Sequence, residues 1–505
     1  MILNLSSSII VFLVSFGINF FLTPYIVQSL GNEAYGFIGL CNAIISYAYV
    51  ITLSINSVSS RFVAYEWHKN NFEKSNTYYS SVLIVNIFFS LVVAIVAIFF
   101  IFNINYFLNI PQHLLYDVKL TFIFYFINFC VLLFNGVLSV CAFVTDKLYI
   151  ISIRNAISSI LFACLVVLLF YLLKPMISYL AICALISSVF VFCATFFVSK
   201  KIAPDLNFSL LKFDFLSIKE LFRSGVWSSF SALNRVLLNG TDLFICNIFL
   251  NSNLVGILAI SKIAPLILES FVAQISAIFS PKFIKFYSAN KIKRLILEIR
   301  FAMKIVAFIA GVPLAIFIVF AKDFYMLWLS FKSIDEISFI YQISMIAIIP
   351  IALISYLFPL LNIDSTSNNL KRPAIANTIF GVFTILTQIL LLKYTNYGLV
   401  GVVCVLCVFY SFRILFFDLL NGALNLNLKL YTFYIIYIKH IFTFFILLIF
   451  YFCISEFIDI KDWFDFVFNI FFIALLGYFI NLFLLFSKKE RKKMFLYIKA
   501  KVKRA

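Results

Sequence analysis

Charge is scarce in this chain. Only 12% of its 505 residues are Asp, Glu, Lys or Arg, whereas a soluble domain carries roughly 25%. The other side of that shortage is a 64% hydrophobic content and a mean hydropathy of +1.09. A water-soluble enzyme could not cover that much apolar surface, so it is excluded, and so is disorder, because disordered chains are poor in hydrophobic residues. Histidine is nearly missing: His68, His113 and His440 are scattered, and none falls in a zinc-binding spacing. The ten cysteines all lie inside apolar runs, which argues against a disulfide framework. Cys404 and Cys407 form a C-x-x-C, but within an apolar helix and without a second pair, so they read as packing residues. No basic residue precedes Arg61. The N-terminus therefore lacks the positive region of a signal peptide, and the run from Ile9 to Val27 reads as a first spanning helix. Neither a metal site nor a catalytic residue is expected.

What the chain does have is long apolar runs. It holds 66 Phe but only 14 Gly, a bias that codon usage in an AT-rich genome and lipid-facing packing account for without any aromatic binding role. A helix needs about 20 mainly apolar residues to cross the hydrocarbon core. That ruler gives fourteen spans: 9–28, 36–60, 80–103, 119–143, 150–173, 177–198, 225–250, 255–280, 302–321, 338–361, 374–393, 398–421, 432–454 and 466–487. The expected fold is all-α: a polytopic membrane protein of about 14 transmembrane helices, arranged as two six-helix lobes plus two C-terminal helices.

The basic residues supply the topology. With the N-terminus placed in the cytoplasm, 29 of the 39 Lys and Arg fall in inside segments or at inner span ends and 6 in outside loops or at outer span ends, while Arg235, Lys262, Arg413 and Lys439 lie deeper within spans. Such a bias supports an even number of spans with both termini cytoplasmic. The basic tail reads as a topology signal that also touches anionic lipid, and nucleic acid is not an expected partner. The outside loops reach at most about 17 residues, too little for the outer domain that a membrane glycan polymerase or ligase would need.

The longest internal polar stretch, 199–224, separates the first twelve spans into two groups of six. The expected organisation is an N-terminal lobe over 1–198, a cytoplasmic connecting loop over 199–224, a C-terminal lobe over 225–421, helices 13 and 14 over 422–487, and a basic tail over 488–505. A weak repeat supports this division. Leu30-Gly-Asn-Glu-Ala-Tyr-Gly36-Phe-Ile-Gly-Leu40 is similar to Leu250-Asn-Ser-Asn-Leu-Val-Gly256-Ile-Leu-Ala-Ile260, and both form the outside turn between the first two spans of their group. Groups of six keep one orientation, which is the parallel-repeat plan of transporters that bind substrate between two bundles.

Charges inside the membrane are costly and face protein or water. Span 7 carries Arg235 and Asp242, and span 8 carries Lys262 and Glu269. The seven-residue spacing puts both charges of a span on one face, roughly 10 Å apart. Cross-helix partners near the outer turn would then be Asp242 with Lys262 and Arg235 with Glu269. Two readings stand side by side: ion pairs that fix the packing of spans 7 and 8, and a polar cavity wall whose cations bind an anionic substrate and whose carboxylates bind H⁺ or Na⁺. Arg413 and Asp418 in span 12 are further candidates. Arg61 and Arg154 sit at the cytoplasmic mouth, where topology or a pyrophosphate head group would explain them, Arg being suited to bidentate contacts. Pro24 and Pro265 are hinge candidates, since proline permits helix bending.

The run Asn19-Phe-Phe-Leu-Thr23-Pro24-Tyr25-Ile26-Val27-Gln28-Ser-Leu30-Gly31-Asn-Glu33-Ala-Tyr35-Gly36, with Ser60-Arg61-Phe-Val-Ala64 after span 2, resembles the opening of Wzx-type polysaccharide flippases. These are O-antigen and lipid-linked oligosaccharide carriers of the multidrug/oligosaccharidyl-lipid/polysaccharide exporter superfamily. Fourteen spans are similar to the lipid II flippase branch. The resemblance implies two six-helix lobes around a cationic lumen in the bacterial inner membrane. It also implies a polyprenyl-diphosphate-linked oligosaccharide as substrate, an H⁺ or Na⁺ gradient as driving force and no cofactor. A monomer working beside membrane lipids and a glycan polymerase is expected. On this reading Arg61, Arg154, Arg235, Lys262 and Arg413 would meet the diphosphate, and Asp242, Glu269 and Asp418 would couple the ion. The rival within the superfamily is a multidrug or metabolite cation antiporter, which should have an acidic lumen. Here four intramembrane bases stand against three acids, with two more arginines at the mouth. A reporter fused near residue 210 should read cytoplasmic and one near residue 330 external; the reverse pattern would overturn the span count.

Overall fold

Hydrocarbon offers no hydrogen bonds, so a chain this apolar can cross it only by bonding its backbone to itself, in helices or a closed barrel. The structure, a computed structural model, describes residues 2–367, 369–488 and 490–492, and the side chains of all of these except 2–6, 8, 9, 12, 148, 228, 231, 234, 235 and 237–239. Every regular element among the described residues is helical. Most of the basic tail, and the side chain of Arg235, fall outside the described residues.

Among the described residues, twelve helical segments are long and apolar enough to cross a membrane. These twelve segments carry thirteen of the fourteen expected spans. The first, Leu13–His68, has 56 residues, about 84 Å of helix, against a core about 30 Å thick. It contains both expected spans 1 and 2. Expected span 7 lies on a further pair of helices, α8 and α9, described below. Each of the fourteen apolar runs thus lies on helix.

By packing, the chain divides into two compact units, residues 1–259 with 388–399, and residues 260–387 with 400–505. The first unit begins with α1 (Ile2–His68), α2 (Phe72–Phe102), α3 (Ile104–Phe107), α4 (Leu115–Leu138) and α5 (Val140–Val144). It continues with α6 (Leu148–Leu172), α7 (Ile177–Ile202), α8 (Phe215–Asn239), α9 (Thr241–Phe249) and the start of α10 (Ser252–Ala277). In it α1 runs along α8, α6 and α2, and α4 lies against α7. The α1 helix is broken at Gly31, whose φ of 79° and ψ of 171° suit a residue without a Cβ. Pro24 sits inside helix, seven residues before this break.

The connecting stretch 199–224 is tied to the start of α2. The Asn207 amide donates to Asn76 Oδ1 at 2.8 Å, the Ser209 amide to Ser80 Oγ at 3.1 Å and the Asp214 amide to Ser81 Oγ at 3.0 Å. Asp214 then caps α8 through the amides of Leu216 and Ser217.

The two similar segments around Gly36 and Gly256 touch. A Cβ on Gly36 would stand 2.7 Å from the Gly256 nitrogen, and one on Gly256 would overlap the Asn32 carbonyl. Side chains close the same junction: Asn32 Nδ2 donates to Asn253 Oδ1 at 3.2 Å, Ser252 Oγ bonds Glu33, and His113 Nε2 lies 3.6 Å from Glu33 Oε2. The shared glycine of the repeat therefore permits a close backbone approach.

The second unit holds the rest of α10, then α11 (Ser280–Ser288), α12 (Ile292–Trp328), α13 (Ile334–Ser355), α14 (Phe358–Thr366) and most of α15 (Lys371–Tyr394). It ends with α16 (Gly398–Arg413), a π-type turn over Ile414–Asp418, α17 (Leu419–Asn425), α18 (Tyr434–Ser455) and α19 (Trp463–Leu485). Here α12 is central, flanked by α13, α18 and α19. The two last spans bury one stripe each against it, with His440, Phe444, Leu447 and Tyr451 on α18 and Ile473, Gly477 and Asn481 on α19. Their other faces, with Phe442, Phe445, Phe468 and Phe479, remain exposed and fit lipid contact.

Replacing Gly256 by Ala forces a Cβ against backbone, which should destabilise the protein by about 1–3 kcal/mol. Gly17, with nothing near its Cβ position, should accept Ala without loss. Thermal unfolding of both variants in detergent checks this, and equal melting temperatures would contradict it.

Candidate functional site

Arg154 lies on α6, half-buried, in the first unit. Its guanidinium reaches only neutral groups. Nη1 donates to Thr195 Oγ1 on α7, and Nη2 to Asn155 Oδ1 at 3.3 Å and Ser139 Oγ at 3.5 Å. Nε is buried with no partner among the described residues. Arg61, near the end of α1, is exposed; it donates to Ser224 Oγ at 2.9 Å and packs 5.5 Å from the Phe62 ring. Among the described residues neither arginine has a carboxylate partner.

The remaining charges near spans 7 and 8 are placed differently from a straight-helix expectation. Span 7 is interrupted at Gly240, which ends α8 through a 2.8 Å bond from its amide to Val236 O. Two turns of continuous helix therefore do not connect Arg235 to Asp242, and the side chain of Arg235 lies outside the described residues. Asp242 is instead buried in the first turn of α9, where the helix dipole favours an acid, and its Oδ1 accepts from the Leu243 amide at 2.9 Å. Lys262 is buried and Glu269 half-buried on α10 in the second unit. The α10 helix continues through Pro265.

Arg413 and Asp418 are brought together. Five residues apart, they would not share a face of an α-helix. The π-type turn over 414–418 changes the periodicity, and Arg413 Nη2 meets Asp418 Oδ2 at 3.2 Å, both side chains buried. The guanidinium also stacks 4.5 Å from the Tyr410 ring.

Beside this pair stands a carboxylate that sequence reasoning missed. Asp364 on α14 is buried, and its Oδ1 accepts from Asn421 Nδ2 at 2.8 Å and Asn425 Nδ2 at 2.6 Å, both on α17. Asn369 Nδ2 in turn donates to Asn425 Oδ1 at 2.6 Å. Asp364 follows the tenth apolar run, so a search for charges within spans passes over it. The available signal was Asp418, Asn421 and Asn425 recurring at helical spacing. Asp117, also missed, accepts the amides of Ile177 and Ser178 at 2.7 and 2.9 Å and so anchors the start of α7.

Residues 7–165 match the MatE family model. A relative from Bacillus subtilis (strain 168), the uncharacterized membrane protein EpsK, is 29% identical over 400 residues, 79% of this chain and 78% of that one. Among solved structures, the lipid II flippase MurJ in an inward closed conformation gives a TM-score of 0.68 at 15% identity, covering 95% of this chain and 98% of that chain. An inward-facing multidrug resistance MATE family transporter of the MOP superfamily also gives 0.68 at 15% identity, covering 84% and 98%. A MOP superfamily transporter from Pyrococcus furiosus, described as having a binding pocket of reverse polarity, gives 0.61 at 15% identity, covering 84% and 95%. The chain therefore shares the fold of these solved transporters, and its residues 7–165 carry the MatE match.

For the buried pair in unit 2, truncating one partner should cost about 3–5 kcal/mol, because it leaves a lone charge out of water. Arg413→Met should therefore melt well below the parent protein, and adding Asp418→Leu should recover most of the loss. A double variant no more stable than the single one would refute this account of the pair.

Proposed function

We propose that the protein is a flippase for a polyprenyl-diphosphate-linked oligosaccharide, working by ion-coupled alternating access in the bacterial cytoplasmic membrane. Both termini lie in the cytoplasm on this reading, and the six-plus-six lobes with two further helices follow the parallel-repeat plan. The observation that carries it is Arg154. A guanidinium half-buried in a membrane helix, bonded only to hydroxyls and an amide oxygen, has a deficit of negative charge that an anionic ligand would fill. A diphosphate suits it, since the planar guanidinium pairs with phosphate oxygens two at a time. Arg61 adds a second cation without a carboxylate partner among the described residues of the same unit.

The ion-paired Arg413 fits the diphosphate role less well than these two, because Asp418 already offsets it. The match to MurJ extends over 95% of this chain, against 84% for the multidrug transporters, which supports a lipid-linked substrate over a cationic drug. H⁺ or Na⁺ would drive the cycle, a glycan polymerase would take the product, and the monomer would be the working form.

Arg154→Ala, expressed in a strain whose surface glycan depends on this protein, should lower that glycan about tenfold or more, the cost of losing charge-assisted hydrogen bonds. Arg154→Lys should retain part of the activity. Normal glycan at normal protein level in Arg154→Ala would remove the basis of the proposal.

A further inference from the structure

Asp364 is a buried carboxylate that no cation among the described residues offsets. The charged groups on the elements packed around α14 account for themselves elsewhere. On α11, Lys282 and Lys285 are exposed, and Lys282 pairs with Glu298 of α12 at 3.3 Å. On α12, Lys293, Arg294 and Arg300 are exposed, and Lys304 pairs with Glu490 at 2.7 Å. The α17 helix carries no ionisable group. Just before it, Asp418 is held by Arg413. Of these two carboxylates, Asp418 has an arginine partner and Asp364 has only amide donors.

What holds Asp364 is amide. Asn421 and Asn425, one turn apart on α17, both donate to Oδ1. A second sign of incomplete bonding lies on the same side chains: Asn421 Oδ1 is buried and has no donor among the described residues. A protonated carboxyl is a donor as well as an acceptor, so a proton on Asp364 would remove the uncompensated charge and bring a donor to the neighbourhood where an acceptor lacks one.

We propose that Asp364, clamped by Asn421 and Asn425, is a proton-binding site that fastens α14 to α17. Its use as a coupling site rests on the ion-driven flippase reading; proton binding itself follows from the cluster. Burial, with the Asp418 charge adding to it, raises this carboxyl to about 7, and the donors from Asn425 and Asn421 oppose the rise. The sign follows directly. A carboxyl raised above its ordinary range binds its proton more tightly in this arrangement than when hydrated. The contact is therefore favoured at low pH and loses that advantage as pH rises through about 7. A conformation in which water reaches Asp364 would gain weight on the alkaline side.

Infrared difference spectroscopy of the full-length protein in lipid nanodiscs, titrated between about pH 5 and about pH 9, tests this. A carboxylic C=O band should vanish with a midpoint near 7 and be missing in Asp364→Asn. Asn425→Ala, which removes one donor to the ionised form, should move the midpoint upward; it keeps the test available if the Asp364→Asn variant fails to fold. Hydrogen exchange of residues 358–366, corrected for intrinsic rates, should rise through the same pH range in the parent protein and stay flat in Asp364→Asn. A band that survives Asp364→Asn, a midpoint unmoved by Asn425→Ala, or exchange indifferent to both would overturn the site. No glycan enters these measurements, so failure of the flippase reading, seen in the Arg154 variants, and failure of the proton site are separate results.

Discussion

Everything in this protein follows from a solvent that cannot hydrogen-bond. Hydrocarbon leaves each peptide group to find a partner within its own helix, which explains the uniformly helical architecture and the length of the spans. It also raises the cost of every charge that does not meet an opposite charge or water. With only 12% charged residues, the chain places few of them in the interior, and the arrangement of those few is where chemistry can occur.

The two compact units differ in what they leave uncompensated. In the first, the arginines at 61 and 154 reach only neutral acceptors among the described residues. In the second, a bonded Arg–Asp pair stands beside a carboxylate bonded only by amides. An unpaired cation is a place for an anion, and an unpaired carboxylate is a place for a proton. On the proposed flippase reading, the two ligands would be kept on different groups.

Sterics does as much as charge at one junction. The similar segments around residues 36 and 256 meet through glycine, and the absence of two side chains lets helix backbones touch where asparagine, serine and glutamate then bond across. Small residues at a helix contact in a membrane serve packing where no hydrophobic driving force exists between helices. The shared glycine in the repeat was visible as a letter; that its two copies press on each other was not, because similarity along a chain says nothing of proximity in space.

Helical class, the fourteen apolar runs and the unequal distribution of basic residues were legible from composition and order alone, because hydrophobic length and charge are additive along the chain. Resemblance over the first 65 residues or so pointed to a superfamily with whose solved members the chain shares its fold. The interior was less legible. Span 7 breaks at Gly240, so Arg235 and Asp242 stand on two successive helices and not on one. Arg413 and Asp418, at a spacing that does not face on an α-helix, pair because the helix loosens to a π-type turn between them. Asp364 sits past the end of an apolar run and is buried by packing in which α17 supplies its hydrogen-bond donors. The sequence by itself determined which segments enter the membrane, since that depends on the sum of many residues. Only the tertiary structure decided which charges are compensated, since that depends on single distances between elements far apart in the chain.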